Sequence, residues 1–290
     1  AQKKGLFPSP KMLLSVTPLS ITGGHFDLTF NSGFNMGIKY PGLPNPLCDG
    51  VENVIRKTRE VFRARADFIK VMVTGGALSE NDSSLYPQFN LKELIAIVKE
   101  AKMRKSKVAA HAHGLEGIKN AFKAGVNSIE HGTYIDKSLA KLMAKKGTPI
   151  IPTIMVIDTL FKNGNYLDDE KKAKVKELNK VQKENKIIAY EEGVKMFMGS
   201  DSGVIPHGHN LEELKFLVDL GMNSSEAIAA GTIEPAKFLG IDDKIGSIEP
   251  MKSADVILSN KNPLENISSL GDSNNISLVV QDGNVIKNTL

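Results

Sequence analysis

Imidazole, amine and carboxylate side chains recur in this 290-residue chain where short apolar runs end. His111 and His113 stand two apart in Ala110-His111-Ala112-His113-Gly114, and alternation along a strand would put both rings on one face. His131 follows the short strand expected at 127–130, and Asp201 follows the apolar run at 194–198. All six histidines, His25, His111, His113, His131, His207 and His209, fall at such ends or in the loop after the last run. A lone histidine is commonly structural, but scatter would not produce that placement. Imidazole and carboxylate donors suit zinc, with iron, manganese and cobalt also open on ligand type.

Lys70 lies inside Phe68-Ile69-Lys70-Val71-Met72-Val73, where a buried ammonium is costly unless compensated. Two solutions are open. One is pairing with a carboxylate in the interior. The other is a depressed pKa, which lets the neutral amine take up carbon dioxide as a carbamate able to bridge two divalent cations. Asp201, in Gly199-Ser200-Asp201-Ser202-Gly203, can cap a helix or a turn, or it can bind a metal and accept a proton from activated water. Gly23-Gly24 and Gly75-Gly76 lack the flanking pattern of a nucleotide loop and read as tight turns.

The elements that must carry these groups follow from periodicity. Strands are predicted at 11–15, 66–73, 107–110, 127–130, 148–152 and 194–198, with helices at 91–104, 115–124, 138–146 and 168–192 between the later ones. Such alternation is the pattern of βα units around a parallel sheet, and strand carboxyl ends are where a barrel places its catalytic groups. After about residue 243 the pattern changes to short strands at 254–258, 277–281 and 285–286 with tight turns, a small β domain. Net charge is +4 with lysines dispersed, which argues against nucleic acid or an anionic membrane as partner. No stretch approaches a membrane span. The single Cys48 cannot form an internal disulfide, consistent with a reducing, cytoplasmic setting.

Five segments in order, Thr22-Gly23-Gly24-His25, Lys70 ahead of Thr74-Gly75-Gly76, His111-Ala112-His113-Gly114, Ile129-Glu130-His131-Gly132 and Gly199-Ser200-Asp201-Ser202-Gly203, resemble the amidohydrolase superfamily, in its imidazolonepropionase-related and prolidase-like branch. Gly246-Ser247-Ile248-Glu249-Pro250 and Ala254-Asp255 are similar to that family's exit from barrel to β-sandwich, with Met251 where the family usually has Gly. The resemblance implies an α/β fold: a (β/α)8 TIM-like barrel, strands 3–8, over 1–243, and part of a small β-sandwich over 244–290. It implies Lys70 as a carboxylated bridging lysine, His111 and His131 on one metal, and Asp201 on the other as proton shuttle. His25 and His113 become substrate contacts or supports behind the metal ligands, and His207 and His209 substrate contacts, with His25, His113 and His207 able to hold a substrate carboxylate.

The expected activity is hydrolysis of an amide or peptide bond in a dipeptide or N-acyl amino acid by metal-activated water, with two zinc ions in the complete protein. A mononuclear deaminase or cyclic-amide hydrolase on the same fold, or an inactive fragment, are the alternatives. The family's first strands and their His-x-His pair have no counterpart here, so the resemblance implies either a docked N-terminal fragment or a shortened chain. A homo-oligomer is expected.

Overall fold

The computed structural model describes residues 6, 9–29, 32–35, 42–79 and 82–290; the basic opening at 1–5 lies outside them. The helices are α1 (Val51–Arg63), α2 (Leu91–Met103), α3 (Leu115–Ala124), α4 (Lys137–Lys146), α5 (Ile154–Asn163), α6 (Asp169–Glu191), α7 (Glu213–Asp219), α8 (Ser224–Ala230) and α9 (Ile233–Leu239). The strands are β1 (Ile69–Met72), β2 (Val108–Ala112), β3 (Ser128–His131), β4 (Ile150–Ile151), β5 (Val256–Ser259), β6 (Ile276–Gln281) and β7 (Asn284–Asn288). Among the described residues no helix is long and apolar enough to cross a membrane.

The chain divides into two compact units. One, here the parallel-sheet unit, comprises Lys11–Ile151 and Gly164–Lys195; the other, the antiparallel-sheet unit, comprises Ala1–Pro10, Pro152–Asn163 and Met196–Leu290.

In the parallel-sheet unit the strand order is β1-β2-β3-β4, every pairing parallel. Ile69, Val71, Ala110, Ile129 and Ile150 are fully buried, as expected for strands covered on both faces. Burying each such isoleucine contributes about 1.5–3 kcal/mol. The helix boundaries follow local chemistry. Asn90 and Glu93 form a reciprocal capping box at the start of α2, Asp136 caps α4, and Gly125 and Gly147 end α3 and α4 in left-handed conformations. The sheet is placed so that the ends of β2 and β3 meet in register, Ala112 beside His131.

Four of the six expected parallel strands form, and among the described residues the sheet does not close into a barrel. The 11–15 segment stays irregular because its side chains are not covered: Met12, Leu13 and Leu14 are 40–48% exposed. The edge of β1 is met instead by buried Leu19, which donates to the Lys70 carbonyl at 2.8 Å and accepts from Met72 N–H at 2.9 Å. The 148–152 run shrinks to β4 because Pro149 and Pro152 flank it and offer no N–H. From 194–198 the Lys195 carbonyl accepts from Ile150 N–H at 2.9 Å, but no strand propagates.

In the antiparallel-sheet unit, β5-β6-β7 form a three-stranded sheet with an Asp282-Gly283 turn between the last two strands, matching the small β element expected there. Glu213, fully buried, accepts from the Ile154 and Met155 N–H groups at 2.9 and 2.8 Å and so caps α5.

Candidate metal centre

His111 lies in β2, His113 one residue beyond it, and His131 closes β3. All three are buried, and each offers a ring nitrogen within 4.8 Å of the others'. The His111 and His131 centroids are 4.6 Å apart; His113 and His131 stack at 4.6 Å with an interplanar angle of 10°. The adjacent parallel strands produce this convergence, and alternation along β2 brings His113 to the same side as His111, as predicted. His131 holds φ at 72°, a left-handed conformation costing a non-glycine residue about 1–3 kcal/mol and often found at functional sites.

His25 joins from the Thr22-Gly23-Gly24 turn, its ring stacked on His111 at 4.4 Å. Gly76 makes room: a Cβ there would fall 2.0 Å from His25 Cε1, so the second glycine of Gly75-Gly76 serves close approach as well as turning.

The rings are held from outside the cluster. The Gly75 carbonyl can only accept, so at 3.1 Å it receives the Nε2–H of His111 and leaves Nδ1 as the lone-pair nitrogen. His113 Nδ1 lies 2.8 Å from Thr133 Oγ1, and Asn185 of α6 donates to the Thr133 carbonyl at 2.9 Å. Burial is the first reason that His111, His113 and His131 are held well below the ordinary imidazole pKa, with neighbouring imidazoles and Lys70 acting in the same direction and Lys186 adding to it at His113 and His131. His25 is lowered to about 4, chiefly by burial, with Asp82 opposing and Lys70 and Lys174 reinforcing. Neutral imidazole is the form that binds a metal. The donor set therefore fits a borderline divalent cation such as zinc.

Lys70 acts electrostatically on all four rings but is only half-buried on β1, so the cost of complete burial argued from its apolar neighbours does not arise. Asp201, His207 and His209 belong to the antiparallel-sheet unit and are exposed. Asp201 holds φ at 52°, and His209 Nδ1 lies 2.7 Å from Glu212 Oε1.

Ser79, Asp82, Gln88, Thr133, Lys174 and Lys186 escaped the sequence reading. Most sit in polar loops without periodicity. Lys186 left a signal: the buried stripe of α6 runs Val175, Leu178, Gln182, Lys186, Ala189, and two polar residues on a core-facing stripe mark a site behind it. Lys186 is fully buried and donates to Gln182 Oε1 at 3.3 Å.

These features agree with comparison to known proteins. The amidohydrolase family profile matches residues 1–286, and the chain belongs to that family. It is 35% identical over 296 residues to ochratoxinase of Aspergillus niger, covering 98% of this chain and 61% of that relative, so the chain spans about three fifths of the relative's length. Among solved structures it is similar to a Xaa-Pro dipeptidase with methionine bound in its active site (TM-score 0.89, 38% identity, 98% of this chain and 70% of that one). It is also similar to a prolidase complexed with N-methylphosphonate-L-proline (TM-score 0.89, 31% identity, 99% and 72%).

Proposed function

We propose that this chain carries the hydrolytic centre of a zinc-dependent amidohydrolase acting on the carbon–nitrogen bond of a dipeptide or N-acyl amino acid. The observation that carries this reading is the meeting of His111, His113 and His131 at the ends of neighbouring parallel strands, buried and neutral. The ochratoxinase and prolidase names of its relatives support an amide substrate of that size. His111 and His131 would hold the cation, with His113 as a third donor or a substrate contact. A bound divalent cation supplies Lewis acidity and lowers the pKa of water toward neutrality.

Lys70 is assigned the carboxylated role on charge. As an ammonium it opposes any cation near these rings; reaction of the free amine with carbon dioxide forms an N–C bond, releases a proton and replaces a positive group with a negative one. Asp201 keeps the assignment its motif gives, metal binding and uptake of a proton for delivery to the leaving nitrogen. His25, His207 and His209 are assigned to substrate. A cytoplasmic homo-oligomer remains the expected setting.

The test is turnover of Xaa-Pro dipeptides and N-acyl amino acids by the zinc-loaded protein, with His111→Ala and Asp201→Asn alongside. Hydrolysis lost in His111→Ala and markedly lowered in Asp201→Asn is the expected result. Hydrolysis unaffected by both, or none on either substrate class with zinc bound, would overturn the reading.

A further inference from the structure

His25 is held by a closed ring of hydrogen bonds whose directions are fixed by chemistry. Its backbone N–H donates to Gln88 Oε1 at 3.0 Å, and Gln88 Nε2 donates to Asp82 Oδ2 at 3.1 Å. Ser79 Oγ donates to Asp82 Oδ1 at 2.6 Å, because an ionised carboxylate can only accept. With its proton committed there, Ser79 Oγ can only accept from His25 Nδ1, 2.7 Å away. Both arms start at His25 and end at Asp82. The ring is buttressed from α6, where Lys174 donates to the Ser79 carbonyl at 2.9 Å and its ammonium lies 3.8 Å from Asp82 Oδ1. The Asp82 side chain is 5% exposed and that of His25 19%, so this is a largely covered network in which unmatched partners would be costly.

We propose that Ser79 and Asp82 are positioning residues which lock His25 as the Nδ1–H tautomer, leaving Nε2 as the nitrogen with the free lone pair. Such an atom accepts from a substrate N–H or ammonium and repels a carboxylate. The substrate group that meets His25 is therefore a hydrogen-bond donor, which revises the expectation that His25 holds the substrate carboxylate. Its specificity consequence rests on the hydrolase reading; the tautomer lock does not.

The test is a long-range ¹H–¹⁵N correlation spectrum of the full chain as purified, labelled with ¹⁵N-histidine, with His25 assigned by the signals lost in His25→Gln. The expected wild-type pattern is a protonated Nδ1 and an unprotonated Nε2. Ser79→Ala should collapse that pattern toward a mixture of tautomers, and Ser79→Thr, which keeps the hydroxyl, should restore it. In turnover, Ser79→Ala should lower kcat/KM about tenfold, with recovery in Ser79→Thr. A wild-type His25 protonated on Nε2, or a spectrum unchanged in Ser79→Ala, would overturn the proposal. The expected tautomer pattern in a protein that hydrolyses no amide would support the lock and count against the hydrolase reading alone.

Discussion

The histidine cluster of the parallel-sheet unit and the Asp201 segment of the antiparallel-sheet unit carry the same kinds of chemical group but are built in opposite ways. His25 reaches Ser79 across 54 residues, His111 reaches Gly75 across 36 and His113 reaches Thr133 across 20. Around Asp201, Ser200 bonds Ser202, Val204 N–H donates to the Asp201 carbonyl, and His209 bonds Glu212, all within two or three positions. The first geometry exists only when the sheet is folded and its ends are aligned. The second is shaped by its own turn, and His209 is 57% exposed. A centre whose donors must meet within a few ångströms belongs with the first kind of construction, since rigid elements hold such distances better than loops.

Substitutions should separate the two regions. The largest effect is expected from His131→Ala, which removes a buried donor: metal retention should be lost, and with it amide hydrolysis by about three orders of magnitude, read as metal content and kcat/KM. Asp201→Asn should lower kcat and cost less metal, measured on the same samples, than His131→Ala does, because the imidazole donors are untouched. Metal loss equal to that of His131→Ala would instead make Asp201 a dominant ligand and weaken the contrast.

Gly76→Ala should come next. A Cβ 2.0 Å from His25 Cε1 forces ring or backbone to move, and overpacking of this kind costs about 1–3 kcal/mol, to be read from the urea midpoint. The smallest effect belongs to the periphery of the same unit, where Glu100 accepts from Arg59 at 2.7 Å and from Arg104 at 3.0 Å. The Arg59 hydrogen bond, ahead of opposing desolvation, holds the Glu100 carboxyl below its ordinary pKa. A carboxylate depressed in the folded state stabilises above its unfolded pKa, and that contribution fades as pH falls through the folded value. Glu100→Gln should therefore lower the urea midpoint slightly at neutral pH, and the gap to wild type should close on acidification. Arg59 is 56% exposed, so solvent screening keeps the effect small.

The contrast also explains what was legible in the sequence. Helices α2, α3, α4 and α6 were readable because caps and 3.6-residue periodicity are local properties, β2 because its apolar run leads into His111, and β3 from its place between two helical segments. His111, His113 and His131 were readable as one face because alternation and strand order suffice to bring them together. The edge contact at Leu19 was not, since the 11–15 run and the 19–20 pair look alike until burial chooses between them. The Ser79, Asp82, Gln88 support for His25 was invisible for the same reason: it is assembled from loop residues whose only signal is their meeting in space.

The central claim, that buried imidazoles of the parallel-sheet unit form a metal centre, is tested most directly by X-ray absorption at the zinc edge on the zinc-loaded protein and on His111→Ala. The account predicts imidazole scattering with nitrogen at about 2.0–2.1 Å, reduced or lost in the variant. Zinc retained with no imidazole signature, or a spectrum unaltered by His111→Ala, would contradict it.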